Sequence, residues 1–334
     1  MGTFLSIEKR RQAAFKMESL DFSDPARSDG MYQGKPRAFC LPRDCARENL
    51  FPEIREAAIA YFADAEIKWH DGQGGNPSNH LCSSMVCGVN FLYPFADKPE
   101  ALVELLRPIF PAAKRALPIE RGQYVAFEWI GAENYLGEKM PGHGQRTRGA
   151  RCTSADAAVM FENAEGKREV ALIEWKYTES YGGTPLHTAR SGTDRTAIYR
   201  HLYERDDFPL NKALLPSFEA LFYEPFYQFL RQQCLAREME RAGEMGADRV
   251  TLVHICPAHN SDFQTVTSPE LRTLGASVTE VWDRLLRERD RFIHVHTEDL
   301  FGRFSTGQYP ALRSWWAHLT ARYPWVTEAG AASC

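Results

Sequence analysis

The sequence lacks any apolar run that approaches the roughly 20 residues a membrane-spanning helix needs. Its first residues carry charges where a secretory signal would have its apolar segment, and Gly2 with Ser6 fits only a short myristoylation pattern that is common by chance. Internal repeats and low-complexity linkers are also missing. We therefore expect a cytoplasmic globular protein, and 334 residues are enough for one large domain or two smaller ones.

Cysteine is scarce, since eight residues in a chain of this length do not suggest a disulfide framework. One group of cysteines and a histidine could meet around a structural zinc ion, but the spacings match the usual zinc motifs poorly. We interpret the cysteines of this group as buried free thiols rather than as metal ligands. The group consists of Cys40, Cys45, His80, Cys82 and Cys87.

An excess of positive charge is absent as well. With 40 basic and 44 acidic residues the formal net charge is −4, which excludes a surface that binds polyanions everywhere. A nucleic-acid site would have to be a local basic patch. The stretch 139–155 has no acid but carries Arg146, Arg148 and Arg151, which are therefore candidate phosphate-binding residues.

The order of predicted elements indicates a mixed α/β protein. Residues 1 to about 48 are polar and broken by prolines, and we expect an arm with one short helix there. The later patterns predict a helix from Pro52, a proline-interrupted helix over 98–117, strands at 123–131, 156–162 and 168–177, a helix at 225–242, a strand at 249–256, and a closing helix, strand and helix. We divide the chain into an N-terminal arm and helical region (1–98), a core (99–260) and a C-terminal helix-strand-helix extension packed on the core (261–334).

The second and third strands flank the turn-forming sequence NAEGK, whose middle residue is Glu165. Asp156 lies nine residues before it (165 − 156) and Glu174 nine residues after it (174 − 165). In an antiparallel hairpin such positions face each other, with Cβ atoms roughly 5 Å apart. Because side chains alternate along a strand, Lys176 projects on the same face as Glu174, and Trp175 projects on the other.

Two carboxylates this close repel each other unless a cation or a proton lies between them. Their oxygens suit Mg²⁺, with Mn²⁺ as a substitute, and the backbone carbonyl of Trp175 could add another ligand. Lys176 could orient a water and stabilise charge on a phosphate, so the group has the parts needed for phosphodiester hydrolysis. The alternative is an ordinary cross-strand ion pair of Asp156, Glu174 and Lys176 worth a few tenths of a kcal/mol.

From about residue 100 to 256, these motifs and the order of elements resemble the PD-(D/E)XK nuclease superfamily, which includes restriction endonucleases. The resemblance implies a restriction-endonuclease-like αβββαβ core, a mixed sheet flanked by helices, with helical additions at both ends. It also implies that Asp156 and Glu174 are metal ligands and that Lys176 is the catalytic lysine. Ala155 stands where the superfamily often has proline.

A further acid is often present in that superfamily, and here it could be Glu104, Glu128 or Glu133. We select Glu128 because alternation along the strand places it on the polar face.

Other charged groups have two interpretations each. Gln228, Arg231 and Gln232 lie on one face of the 225–242 helix, where Gln232 could contact phosphate or orient Lys176, but a solvated face explains them equally well. Four arginines with interleaved tyrosines suit a groove that follows a nucleic-acid backbone, or a plain surface helix: Arg190, Arg195, Arg200 and Arg205 with Tyr199 and Tyr203. We interpret the pair His294 and His296 as structural.

The sequence therefore predicts a Mg²⁺-dependent endonuclease that acts on DNA. The resemblance suggests a role in restriction, phage defence or repair, and cleavage of both strands would ordinarily require a homodimer. Two alternatives stay open at this point. One is an inactive nucleic-acid-binding or assembly protein on the same fold, and the other is an RNA nuclease or a structure-specific nuclease.

Overall fold

The computed structural model describes residues 3–138, 145–150, 152–189 and 191–331. Its centre is a six-stranded mixed sheet in the order β3-β5-β6-β7-β8, with β4 also paired to β5. A separate two-stranded ribbon is formed by β1 and β2. The strands are β1 Gly30–Tyr32, β2 Lys35–Arg37, β3 Ala113–Leu117, β4 Val125–Trp129, β5 Ala155–Asn163, β6 Arg168–Trp175, β7 Arg249–Cys256 and β8 Phe292–His296.

Helices cover both faces of this sheet, as the mixed α/β prediction requires. None of the helices in the described ranges is long and apolar enough to cross a membrane. The helix α6 is nucleated beside Pro225, follows the predicted apolar stripe and ends at Gly243 in the left-handed conformation (φ 60°). The helices are α1 Phe4–Glu18, α2 Arg55–Asp64, α3 Ser84–Leu92, α4 Pro99–Leu106, α5 Arg195–Tyr203, α6 Phe226–Ala242, α7 Val278–Leu285, α8 Thr297–Phe301 and α9 Arg313–Arg322.

The β5–β6 hairpin has the register expected from its turn. The side chain of Asn163 accepts hydrogen bonds from the backbone N–H groups of Glu165 (2.9 Å) and Lys167 (3.0 Å), which fixes the turn. Toward the open end of the ladder, Ala157 pairs with Ile173. One step further, Asp156 therefore stands opposite Glu174.

The two faces of the sheet are covered by different parts of the chain. One face packs against the N-terminal helices and the C-terminal residues around Trp325, in a core that includes Phe4 and Trp175. The other face packs against α5, α6 and α7, in a core that includes Leu172 and Phe229. The segment 1–98 thus contributes to the core on one face of the sheet, whereas the segment 261–334 contributes to the cores on both faces.

The segment 98–117, which we expected to be helical, forms a helix in its first half and a strand in its second half. We expected an interrupted helix over 98–117, but α4 ends at Leu106 and Ala113–Leu117 form β3 at an edge of β5. Pro108 and Pro111 prevent the helix from continuing, and the sheet edge offers the backbone hydrogen bonds that the helix would have supplied. The prediction was wrong because strand pairing with β5 overrode a weak local preference.

The N-terminal region is also more integrated than an arm. Its helix α1 spans 15 residues, and Gln12 is fully buried on it. Gln12 donates to the Arg322 carbonyl (3.2 Å), and the Arg322 guanidinium donates back to the Gln12 side chain (2.9 Å). These bonds join α1 to α9, so the two ends of the chain lie side by side. The predicted strand near residue 292 is confirmed as β8, which extends the sheet in parallel with β7.

Candidate active site

The predicted hairpin group lies at the end of β6 where the strand leaves the sheet. The half-buried carboxylate of Asp156 accepts a hydrogen bond from the Trp175 backbone N–H (2.7 Å). The adjacent side chain of Glu174 is fully buried. Both residues therefore occupy one end of the β5–β6 ladder, as their symmetrical spacing about the turn predicts.

Lys176 and Gln232 hold the Glu174 carboxylate between them. The Lys176 ammonium donates to Glu174 Oε1, and the Gln232 amide donates to Glu174 Oε2. Gln232 also donates to the Ser154 carbonyl (3.0 Å). Since its side chain is buried, Gln232 reaches Glu174 rather than the open cleft, which favours the orienting role over the substrate contact.

Trp175 projects to the opposite face, as alternation predicts. Its ring packs 4.9 Å from the ring of Phe91, and a Cβ added to Gly88 would lie only 3.1 Å from it. The Ser84 hydroxyl donates to the Trp175 carbonyl (3.2 Å). Helix α3 therefore supports the backbone between Glu174 and Lys176 from below.

Glu128 is the third acid at this site. It lies on β4 with a positive φ of 49°, a conformation that non-glycine residues rarely adopt and that is enriched at functional sites. Its buried carboxylate accepts a hydrogen bond from the Ser154 hydroxyl (2.5 Å). By contrast, Glu104 pairs with Arg107 (3.2 Å) beside a different cavity, and Glu133 is exposed beyond the strand.

The site carries more negative than positive charge. Burial, followed by the neighbouring Glu174, raises the pKa of Asp156 well above its usual range. Burial likewise raises the pKa of Glu128 to about 7. For Lys176, burial opposes the charge, but Glu174 and the other nearby acids outweigh it and raise the pKa. The surplus of carboxylates thus calls for a proton or an added cation.

A cleft of about 420 Å³ opens above these residues. Sequence reasoning missed several groups that line it, including Glu179, Tyr181, Glu224 and His70. Glu179 follows Lys176 by three residues, and Glu224 immediately precedes the start of the predicted helix, so proximity to the two motifs was the available signal. His70 comes from a glycine-rich loop, and nothing in its sequence neighbourhood marks it.

The expected phosphate-binding arginines have structural partners. The Arg146 guanidinium donates to the carbonyls of Ile130 (2.7 Å), Gly131 and Ala132. Arg148 forms a bidentate ion pair with Glu120, at 2.7 and 2.8 Å. Both side chains therefore fix the loop that follows β4. Arg151 lies outside the described residues.

The predicted arginine and tyrosine stretch falls largely on α5. Arg200 pairs with Glu219 (3.2 Å), and Arg205 pairs with Asp207 and Glu238. The ring of Tyr199 is buried. Most of this stretch is therefore committed to the protein itself, while Arg195 has a different environment, which is described below.

The histidine pair on β8 is part of a row across the sheet. His294 lies opposite His254, and their Nδ1 atoms are 2.9 Å apart. The ring of His296 packs 4.9 Å from that of His294. Burial lowers the pKa of His294 to about 4. Rings packed against each other in this way suit a structural role.

The donor set at the hairpin fits a hard divalent cation. Within the described ranges, no group of three or more His, Cys, Asp or Glu side chains is arranged to hold a metal ion. Mg²⁺, however, is usually held by one or two carboxylates together with waters and phosphate oxygens. Asp156 and Glu174 are the two carboxylates that could take this part, and the surplus of carboxylates around them is compatible with a cation.

The mixed sheet and its flanking helices define a restriction-endonuclease-like fold. The model of the family described as "Restriction Endonuclease associating with ARP" matches residues 8–324. The chain belongs to this family. Searches of the curated proteins and of the solved structures found no match.

Proposed function

We propose that the protein is a Mg²⁺-dependent endonuclease of the PD-(D/E)XK type that hydrolyses phosphodiester bonds of DNA. The observation that supports this most strongly is the alignment of Asp156 with Glu174 on neighbouring strands, with Lys176 bonded to Glu174, at the base of an open cleft. A surface ion pair would need neither the cleft nor the surplus carboxylates.

The residues that would hold the cation are Asp156, Glu174 and the Trp175 carbonyl. When bound, Mg²⁺ or Mn²⁺ would acidify a water and offset the negative charge that develops on phosphate. The raised pKa of Asp156 is consistent with this assignment, because a carboxyl that resists ionisation alone becomes stable as an anion beside a cation.

The chain's own groups serve the reaction in three ways. Lys176 places an ammonium at the cleft, where it can orient water and stabilise charge on phosphate. Glu128, with a pKa of about 7, can accept or return a proton near neutral pH. Gln232 keeps the Glu174 carboxylate in place through its buried amide. Gln232 is thus a positioning residue.

The first test is cleavage of duplex DNA in Mg²⁺ by wild type and by Asp156→Ala and Lys176→Ala variants. We expect each variant to lose at least about 10²-fold in rate, the scale typical of a group that stabilises charge in the transition state. The matched control is the double variant Glu165→Ala, Lys167→Ala, which removes the exposed ion pair at the other end of the same hairpin. Wild-type rates in either site variant would disprove the proposed mechanism.

Calorimetry with Mg²⁺ then separates the metal site from the rest of the reaction. We expect binding by wild type, with a short duplex present, and no binding by the double variant Asp156→Ala, Glu174→Ala. A protein that binds DNA without divalent cations and tolerates the loss of Glu174 would instead be the non-catalytic binding protein.

Substrate choice and partners extend the same proposal. Cleavage rates distinguish the kinds of nuclease when they are compared on duplex, single-stranded, branched and RNA substrates. A further comparison is that of methylated with unmethylated duplex. The family description also names an association with ARP, and we propose that this chain has such a partner.

A further inference from the structure

Arg231 places a guanidinium at the edge of the cleft, and among the described residues no carboxylate is bonded to it. The residue is half-buried on α6 and lines the same cleft as Asp156 and Lys176. Its guanidinium lies 4.6 Å from the centre of the Tyr227 ring and donates to the Thr153 hydroxyl (3.3 Å). In the described ranges, these neutral groups replace the ion pair that a buried arginine usually has.

Arg195 lies near the same tyrosine ring. It is the first residue of α5, its guanidinium is 5.8 Å from the centre of the Tyr227 ring, and it donates to the Leu186 carbonyl (3.0 Å). The adjacent acid, Asp194, caps α5 by accepting from the Thr196 N–H (2.9 Å). Across the described part of the chain, Arg195 also has no carboxylate in an ion pair, unlike Arg200 and Arg205 on the same segment.

The ring between these two guanidinium groups is held rigidly. The Tyr227 hydroxyl donates to that of Tyr199 (3.3 Å), which in turn donates to Glu138 (2.8 Å). Glu138 also accepts from the backbone N–H (2.7 Å) and the hydroxyl (2.5 Å) of Thr153. A guanidinium held over an aromatic ring keeps its charge and its remaining N–H donors for a phosphate.

We propose that Arg231 binds a backbone phosphate of the DNA strand that is cut, and that Arg195 binds a second phosphate of the same strand. The strand then leaves the cleft in the direction of the start of α5. This inference rests on the proposed function for the identity of its ligand. It replaces the loop arginines Arg146 and Arg148, which are committed to the protein, as the phosphate contacts.

The experiment measures DNA binding against salt concentration, by fluorescence anisotropy of a labelled duplex in EDTA, where Mg²⁺-dependent cleavage does not occur. Each lost phosphate contact reduces the slope of log K against log salt by about 0.9 for duplex DNA. Arg231→Ala should show this reduction and bind about tenfold more weakly at low salt, as expected for loss of a charge-assisted hydrogen bond. Arg195→Ala should show a reduction of the same kind.

Two further variants exclude a purely structural effect. Arg231→Lys keeps the positive charge but loses the paired N–H donors of the guanidinium. The slope of log K against log salt should therefore stay near that of wild type while the affinity falls. The control is Arg237→Ala. Arg237 lies on the same helix but pairs with Glu240 beside another cavity, so this variant should leave both the slope and the affinity unchanged. Melting temperatures confirm that each variant is folded.

The possible results separate the two proposals. A folded Arg231→Ala protein with the wild-type slope, or a wild type without salt-dependent binding, would overturn the phosphate contacts. Loss of cleavage in Asp156→Ala alongside that unchanged slope would leave the nuclease proposal intact. Conversely, a wild type that shows the expected slopes but never cuts DNA would overturn the nuclease proposal alone.

Discussion

Two ion pairs lie close to β4, one partly buried and one fully buried, and they differ in how completely their charges are matched. In the pair of Glu120 with Arg148, both carboxylate oxygens accept from one guanidinium, and the Tyr61 hydroxyl adds a further hydrogen bond. The Phe127 carbonyl accepts from the Arg148 Nε (3.0 Å). One negative group thus meets one positive group, and the neighbouring donors and acceptors are used.

The pair of Glu174 with Lys176 is not balanced in this way, because Asp156 and Glu128 share its surroundings. Burial acts to raise the pKa of Glu120, but the hydrogen bonds from Arg148 and Tyr61 outweigh it and the pKa is lowered. The pKa of Asp156 is raised instead. The first pair stabilises the fold by itself, whereas the second group stores repulsion that a bound cation would relieve.

The largest expected effect concerns the balanced pair. Glu120→Gln would leave the Arg148 guanidinium mostly buried without its carboxylate, and we expect it to lower the free energy of unfolding by about 3–5 kcal/mol. Urea unfolding at pH 7 measures this loss. Glu165→Gln, which removes the carboxylate of an exposed pair, is the matched control and should change stability by less than about 1 kcal/mol. Equal effects of the two variants would show that Glu120 and Arg148 are no better matched than a surface pair.

The next largest effect is the pH dependence of stability, which has opposite signs at Glu128 and at Glu120. Glu128 has a pKa of about 7 when folded and an ordinary value of 4.5, so between these values the folded protein holds a proton that the unfolded chain releases. Its contribution to stability is fully present below about pH 4.5 and is lost as the pH rises through 7, a change of about 3 kcal/mol. Glu120 acts in the opposite sense, since its lowered pKa contributes stability that disappears in acid.

Glu128→Gln removes this titration and keeps a group that can accept from Ser154. In EDTA, the stability of the variant relative to wild type should therefore rise between pH 4.5 and pH 8 by about 3 kcal/mol. Urea unfolding of both proteins across this range checks it. A constant difference over the whole range would mean that Glu128 ionises normally in the folded protein.

The smallest effect is a gain. Asp156→Asn keeps the acceptor for the Trp175 N–H but removes one of the crowded carboxylates. We therefore expect it to raise the free energy of unfolding by about 1 kcal/mol in EDTA. Cleavage in Mg²⁺ should be lost. Thermal unfolding measures the gain. Asp97→Asn, at an exposed pair with Lys98, should leave stability nearly unchanged. A destabilised Asp156→Asn protein would contradict the inference that the carboxylates of this group repel one another.

The sequence predicted the hairpin well because the information is local. The turn residues, the alternation of side chains and the symmetrical positions of Asp156 and Glu174 all lie within about 20 residues of one another. Strand geometry then determines the rest. Alternation along its own strand also selected Glu128, which lines the same cleft as Asp156. Its role stays a prediction, and its positive φ could not be foreseen.

The arginine assignments show where local information ends. The stretch around Arg148 has no acid, but its partner Glu120 lies 28 residues earlier in the chain, on the other side of β4. The buried polar face of α1 is a similar case, because Gln12 finds its partner Arg322 at a separation of 310 residues. Neither partner can be inferred without the tertiary structure.

The contact between α1 and α9 has a consequence for synthesis of the protein. The layer beneath Trp175 contains residues from both ends of the chain, including Phe4 and Trp325. During translation the β5–β6 hairpin leaves the ribosome long before Trp325 does, and at that stage the apolar layer that supports Trp175 is incomplete. The backbone between Glu174 and Lys176 therefore gains its full support only after Trp325 has been made and packed.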